Sequence, residues 1–85
     1  MLLHEFYDFL EDSLILFDKL EYLEEQGETD MRMHELYKEF KRILLLEAVT
    51  DSIENLKDFL GRFGSEIEHY YNKKISTMIL MGGES

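Results

Sequence analysis

Residues 31–60, MRMHELYKEFKRILLLEAVTDSIENLKDFL, contain no glycine or proline, and the phase of their apolar side chains changes midway. At about 100° per residue, Met33, Leu36, Tyr37, Phe40, Ile43 and Leu44 gather on one face of a helix. Leu46, Val49, Ile53, Leu56, Leu60 and Phe63 follow a 3,4,3,4,3 spacing on nearly the opposite face. A straight helix would therefore bury one side first and the other side later. One solution is a break or kink near Val49 to Ser52, where β-branched residues precede residue types that favour caps, and Asp51 and Glu54 have capping-box spacing. The other is a straight helix that packs against two neighbours in turn, which calls for a second subunit. The local residues favour the break.

Upstream, Leu2, Phe6, Phe9, Leu16, Leu20 and Leu23 recur at 4,3,7,4,3, with Ser13 at the one missing heptad position. This spacing predicts a helix from about Leu2 to Gln26. Leu3, Leu10 and Phe17 widen the stripe, while Leu14, Ile15 and Tyr22 lie well off it, so two neighbours are expected. Gly27 suits a left-handed helix end, and Thr29 or Asp30 can cap the next helix. Downstream, Gly61 and Gly64 read as a second point of division. Ser65 and Glu68 form a capping box opening a helix through Ile67, Tyr71, Ile75 and Met78, which ends before Gly82 and Gly83. The expected fold is one all-α domain over residues 1–85: a small antiparallel bundle of three long helices, the second kinked or split in two.

The chain has 85 residues, no cysteine and no proline, so disulfide scaffolds and thiolate metal sites are excluded. With 45% apolar and 33% charged residues it is too apolar for disorder and too charged to span a membrane. The Met-Leu-Leu-His-Glu start lacks the basic region of a secretion signal, and a cytoplasmic location is expected. A formal charge of −10, from 19 acids against 9 bases, disfavours direct binding of nucleic acid or an anionic membrane and points to a basic partner. That charge is uneven. Residues 1–30 hold ten acids and one base, Lys19, while residues 31–64 hold six of each sign.

Asp8, Glu11, Asp12, Asp18, Glu21, Glu25 and Glu28 recur mainly at three, four or seven residues, which predicts an acidic ridge opposite the apolar stripe. A solvated face that keeps the helix soluble is the plain reading of such a ridge. A docking surface for a basic groove is the functional one, and the self-repulsion such a ridge carries gives that reading weight. Tyr70 and Tyr71 are adjacent and point about 100° apart, so one of them is expected at an interface or in solvent.

Candidates for chemistry are few. Glu66 and His69 have the Glu-x-x-His spacing of carboxylate metal sites in helix bundles, which need further inward carboxylates. Glu21, Glu24, Asp51 and Glu54 could gather magnesium, but no basic pattern for phosphates accompanies them. No nucleophile motif or phosphate-cradling loop is present. No catalytic residue or cofactor is assigned. The expected function is that of a small acidic protein-binding module, an inhibitor or adaptor docking on a basic nucleic-acid enzyme in the manner of phage or immunity proteins. It is also expected to pair as a homodimer. The alternatives are a structural or regulatory homodimer that makes no use of the ridge and, third, a carboxylate-metal helical enzyme.

Overall fold

The computed structural model describes residues 3–50 and 53–83, with side-chain surroundings for residues 4–47 and 53–80. They form three helices, α1 (Leu3–Glu25), α2 (Met31–Thr50) and α3 (Glu54–Gly83), and no strand occurs among them. The all-α bundle expected from the apolar spacing is present.

The turn from α1 to α2 is built from residues whose local preferences agree. Gly27 has φ +71°, in the left-handed region that glycine enters without a Cβ penalty. The Glu28 amide bonds to the Leu23 carbonyl at 2.9 Å and the Gly27 amide to Glu24 at 3.1 Å, the two hydrogen bonds of a Schellman ending. Of the two candidate caps for α2, Asp30 does the work: its Oδ1 accepts from the Met33 amide at 2.8 Å.

The change of apolar face finds its explanation between α2 and α3. Helix α2 ends at Thr50 and α3 starts at Glu54, so the two stripes lie on separate helices that share one core. The change of face therefore needs no second subunit. The capping box proposed at Asp51 lies outside the described residues. Leu46, grouped by spacing with the second stripe, belongs to α2 and is exposed, whereas Ile53, just before α3, and Leu56 and Phe59 of α3 are buried.

The division at Gly61 and Gly64 does not occur. Helix α3 runs through both glycines, and Ser65 lies in its interior instead of capping a new helix. Glycine inside a helix costs about 1 kcal/mol relative to alanine. Phe59, Phe63 and Ile67 straddle these glycines at four-residue spacing. Phe59 and Ile67 are buried, Phe63 is packed against the core, and burying side chains of this size yields about 1.5–3 kcal/mol each. Tertiary packing outweighs the local preference.

Among the described residues ten apolar side chains are buried, Ile53 just before α3 and the others from all three helices. Five aromatic rings cross this core in an unbroken run. Tyr37 stacks on Phe17 at 5.4 Å between centroids, Phe17 meets Phe40 edge-on at 5.3 Å, Phe40 meets Phe59 at 5.2 Å, and Phe59 meets Phe63 at 5.1 Å. Such pairs add about 0.5–1.5 kcal/mol each beyond their area burial. Phe40, fully buried at the middle of the run, ties α1 to α3.

Candidate functional site

Turning one face of α1 inward leaves the other carrying most of the chain's excess charge. Asp8, Glu11, Asp12, Asp18 and Glu25 are exposed on it. Glu11, Asp18 and Glu25, spaced by seven, form a column only about 40° wide at the helical period. Large apolar side chains flank that column, Tyr7 and Leu14 on one side, Ile15 and Tyr22 on the other. They are 42–59% exposed. As expected, α1 packs on two neighbours, α2 and α3, while Leu14, Ile15 and Tyr22 stay exposed.

The ridge is not uniform. Glu21 and Glu28 are half-buried; Glu21 accepts a hydrogen bond from the Tyr37 hydroxyl at 3.3 Å, and Glu28 lies 3.8 Å from the Lys74 ammonium. Burial first, and then the negative charge of Glu21, pushes the Tyr37 phenol above its ordinary range. Glu24 faces the loop. It accepts from the Thr29 hydroxyl at 2.6 Å and contacts His34, and the Thr29 bond foremost holds its carboxyl below the usual range against the opposing effect of burial. Among the described residues, no base lies within ion-pair distance of Asp8, Glu11, Asp12, Asp18 or Glu25.

Several bases pair away from these five acids. Lys38 pairs with Glu35, Arg42 with Glu39 and Arg62 with Asp58, all within one helical turn. Lys19, the one base of α1, reaches across to Glu68 at 3.1 Å.

The two tyrosines occupy different surroundings, and both are half-buried. Tyr70 Oη donates to the Glu28 carbonyl at 2.7 Å and accepts from the Asp30 amide at 3.1 Å, clamping the α1–α2 loop onto α3. Tyr71 lies under the Lys19 ammonium, 5.4 Å from its ring centre.

The residues considered for metal binding are not brought together. Arg32 grips Glu66 through two guanidinium nitrogens and holds its carboxyl below the ordinary range, while His69 lines the groove between α1 and α3. Glu21 and Glu24 are engaged separately, and Asp51 lies outside the described residues. No group of three or more metal-binding side chains occurs among the described residues.

One carboxylate escaped the reading of the sequence. Glu47 is 3% exposed, and its Oε2 has no hydrogen-bond partner among the described residues. It continues the buried spacing of Met33, Leu36, Phe40 and Ile43 by four residues, so an acid in the apolar phase was the available signal. No described helix is long and apolar enough to cross a membrane. No protein-family model matches the chain, and no curated protein or solved structure resembles it at a significant level.

Proposed function

We propose that this small helical bundle is a cytoplasmic protein-binding module whose α1 outer face docks on a basic protein, as an inhibitor or adaptor of a nucleic-acid enzyme would. The observation that carries this reading is the composition of that face. Glu11, Asp18 and Glu25 stand exposed without basic neighbours among the described residues, and Tyr7, Leu14, Ile15 and Tyr22 are exposed beside them. A face needed only for solubility has no use for four large apolar side chains, whereas an interface combines them with charges that steer encounter.

The test is affinity capture from the source cells with the wild type and with Glu11→Lys, Asp18→Lys, Glu25→Lys. Glu21 is left intact because Tyr37 hydrogen-bonds to it. A basic protein held by the wild type and lost by the reversed variant supports the reading. Equal capture by both would reduce the face to a solvated surface.

A second copy of the chain is the other reading, and the end of α3 favours it. Ile79 and Leu80 are exposed there, on a helix whose four acids are balanced by four bases. Pairing through that end avoids the repulsion of α1 against α1. Light scattering at tens of micromolar decides it: a mass twice that of the chain supports pairing, and a 10.2 kDa particle opposes it.

A further inference from the structure

Helices α1 and α3 are separated on their outer side by an open groove of about 620 Å³. It is lined by the small Ser13 and Gly64 and the apolar Phe9, Leu16 and Leu60, with polar Asp12, Ser65, Glu68, His69 and Asn72 beside them. Ser13 is 1% exposed and already donates to the Phe9 carbonyl at 2.8 Å, so it presents no unmet polar group.

The chain itself does not require this groove. A Cβ on Gly64 would meet only Leu60 of the same helix, at an ordinary 3.6 Å, and one on Gly61 would meet nothing within 4 Å. Neither glycine has the positive φ that would call for it. Both therefore weaken α3, by about 1 kcal/mol each relative to alanine, without serving a close approach inside the protein. Gly64 lines the groove and leaves it open to something approaching from outside, whereas Gly61 does not line it. A groove between two helices accepts a third at 8–10 Å between axes when small residues lie at the contact.

Charge selects the occupant. Asp12 lines the groove and Asp8 lies one turn before it on α1. Neither has a base within ion-pair distance among the described residues; on the α3 side Lys57 stands 6.0 Å over the Phe9 ring and Glu68 is held by Lys19, so the unpaired charge of the rim is the pair of aspartates on α1 against one lysine. A second copy with a net charge of −10 would be repelled from that rim. We propose that the groove seats one amphipathic, basic helix of the protein partner, its apolar side chains against Leu16 and Leu60 and its lysines or arginines along Asp8 and Asp12, completing a four-helix bundle. This rests on the reading of the protein as a module for a basic partner, and it adds the form of the partner and where it sits.

The probe is a three-heptad peptide with leucine at the a and d positions and lysine elsewhere, beside a scrambled peptide of the same composition. Each is titrated into the isotope-labelled full chain and followed by amide chemical shifts. The expected result is movement at Ser13, Gly64, Ser65 and Asn72 with the helical peptide alone. Gly64→Leu, which fills the groove, should weaken binding at least roughly tenfold. Ser65→Leu, at an exposed position that threatens folding less, should do the same, and thermal melting checks that both variants fold. Shifts confined to the Tyr7–Glu25 face, an equal response to the scrambled peptide, or indifference to both fillings would overturn the proposal. So would the same amides shifting as the chain alone doubles in mass, because a second copy would then be the occupant. If Glu11→Gln, Asp18→Gln, Glu25→Gln weakens the peptide and the fillings do not, the groove is wrong and the basic-partner reading survives. If none of the variants has an effect, both fall.

Discussion

Along α2 and α3 a surface acid is commonly followed three or four residues later by a base: Glu35 by Lys38, half-buried Glu39 by Arg42, Asp58 by Arg62. Along α1 the exposed acids are followed by more acids or by large apolar side chains. Surface pairs of the first kind are worth little, about 0–1 kcal/mol, but they leave those faces electrically quiet. The contrast teaches that the unpaired acids of the described residues gather mainly along the outer face of α1. Helix α1 is attached to the other two by aromatic stacking and by the Tyr70 clamp on its loop, with Lys19 its one cross-helix base among the described residues.

Glu47 is the α2 acid that breaks the pattern, and removing it should have the largest effect on stability. A buried polar atom without a hydrogen bond costs about 1–3 kcal/mol. Glu47→Leu, which restores the apolar spacing of α2, should stabilise the fold by a similar amount in urea unfolding, with the slope unchanged. A loss of stability would mean that the carboxylate is satisfied in solution.

Next comes the clamp. Tyr70→Phe keeps the ring and removes the hydroxyl that bridges Glu28 and Asp30, and it should lower stability by about 1 kcal/mol, read as a fall in melting temperature. An unchanged melting temperature would show that the loop is held by Gly27 and Asp30 alone.

Smaller still is the self-repulsion of α1. Sodium chloride should raise the melting temperature of the wild type by screening. Glu11→Gln, Asp18→Gln, Glu25→Gln should start higher and respond less, a difference of under about 1 kcal/mol. Equal salt responses would remove the electrical distinction between α1 and its neighbours.

The smallest effect concerns Glu24. Its folded pKa is depressed, so its contribution is present above the unfolded value, near 4.5, and is lost as pH falls through the lower folded value. Glu24→Gln should melt slightly below the wild type at pH 6, and the two should converge near pH 3. A gap that persists at pH 3 would assign the effect to geometry instead of charge.

Much of this architecture is legible in the residues. Gly27 and Asp30 mark the first turn because their conformational preferences are local, and the two apolar phases of residues 31–60 locate the passage from α2 to α3. Gly61 and Gly64 mislead because helix propensity is a weak local term, overridden when Phe59 and Ile67 on either side are buried. Glu47 is masked by composition: residues 31–64 hold six acids and six bases, and only its place in the apolar phase of α2 distinguishes it from the surface acids. The placement of the ridge acids on α1 follows from spacing alone. That Glu21 meets Tyr37, that Arg32 takes Glu66, and that Tyr70 reaches a loop some forty residues away depend on how the helices dock, which no local pattern encodes.

The central claim is that the α1 face recruits a basic protein, and the association rate with the captured partner tests it most directly. Stopped-flow mixing over a range of salt should give a wild-type rate that falls steeply with ionic strength. The Glu11→Gln, Asp18→Gln, Glu25→Gln variant should bind more slowly, with little salt dependence and a nearly unchanged dissociation rate, because rim charges act mainly on encounter. Identical association rates and salt dependences for the two proteins would contradict the account.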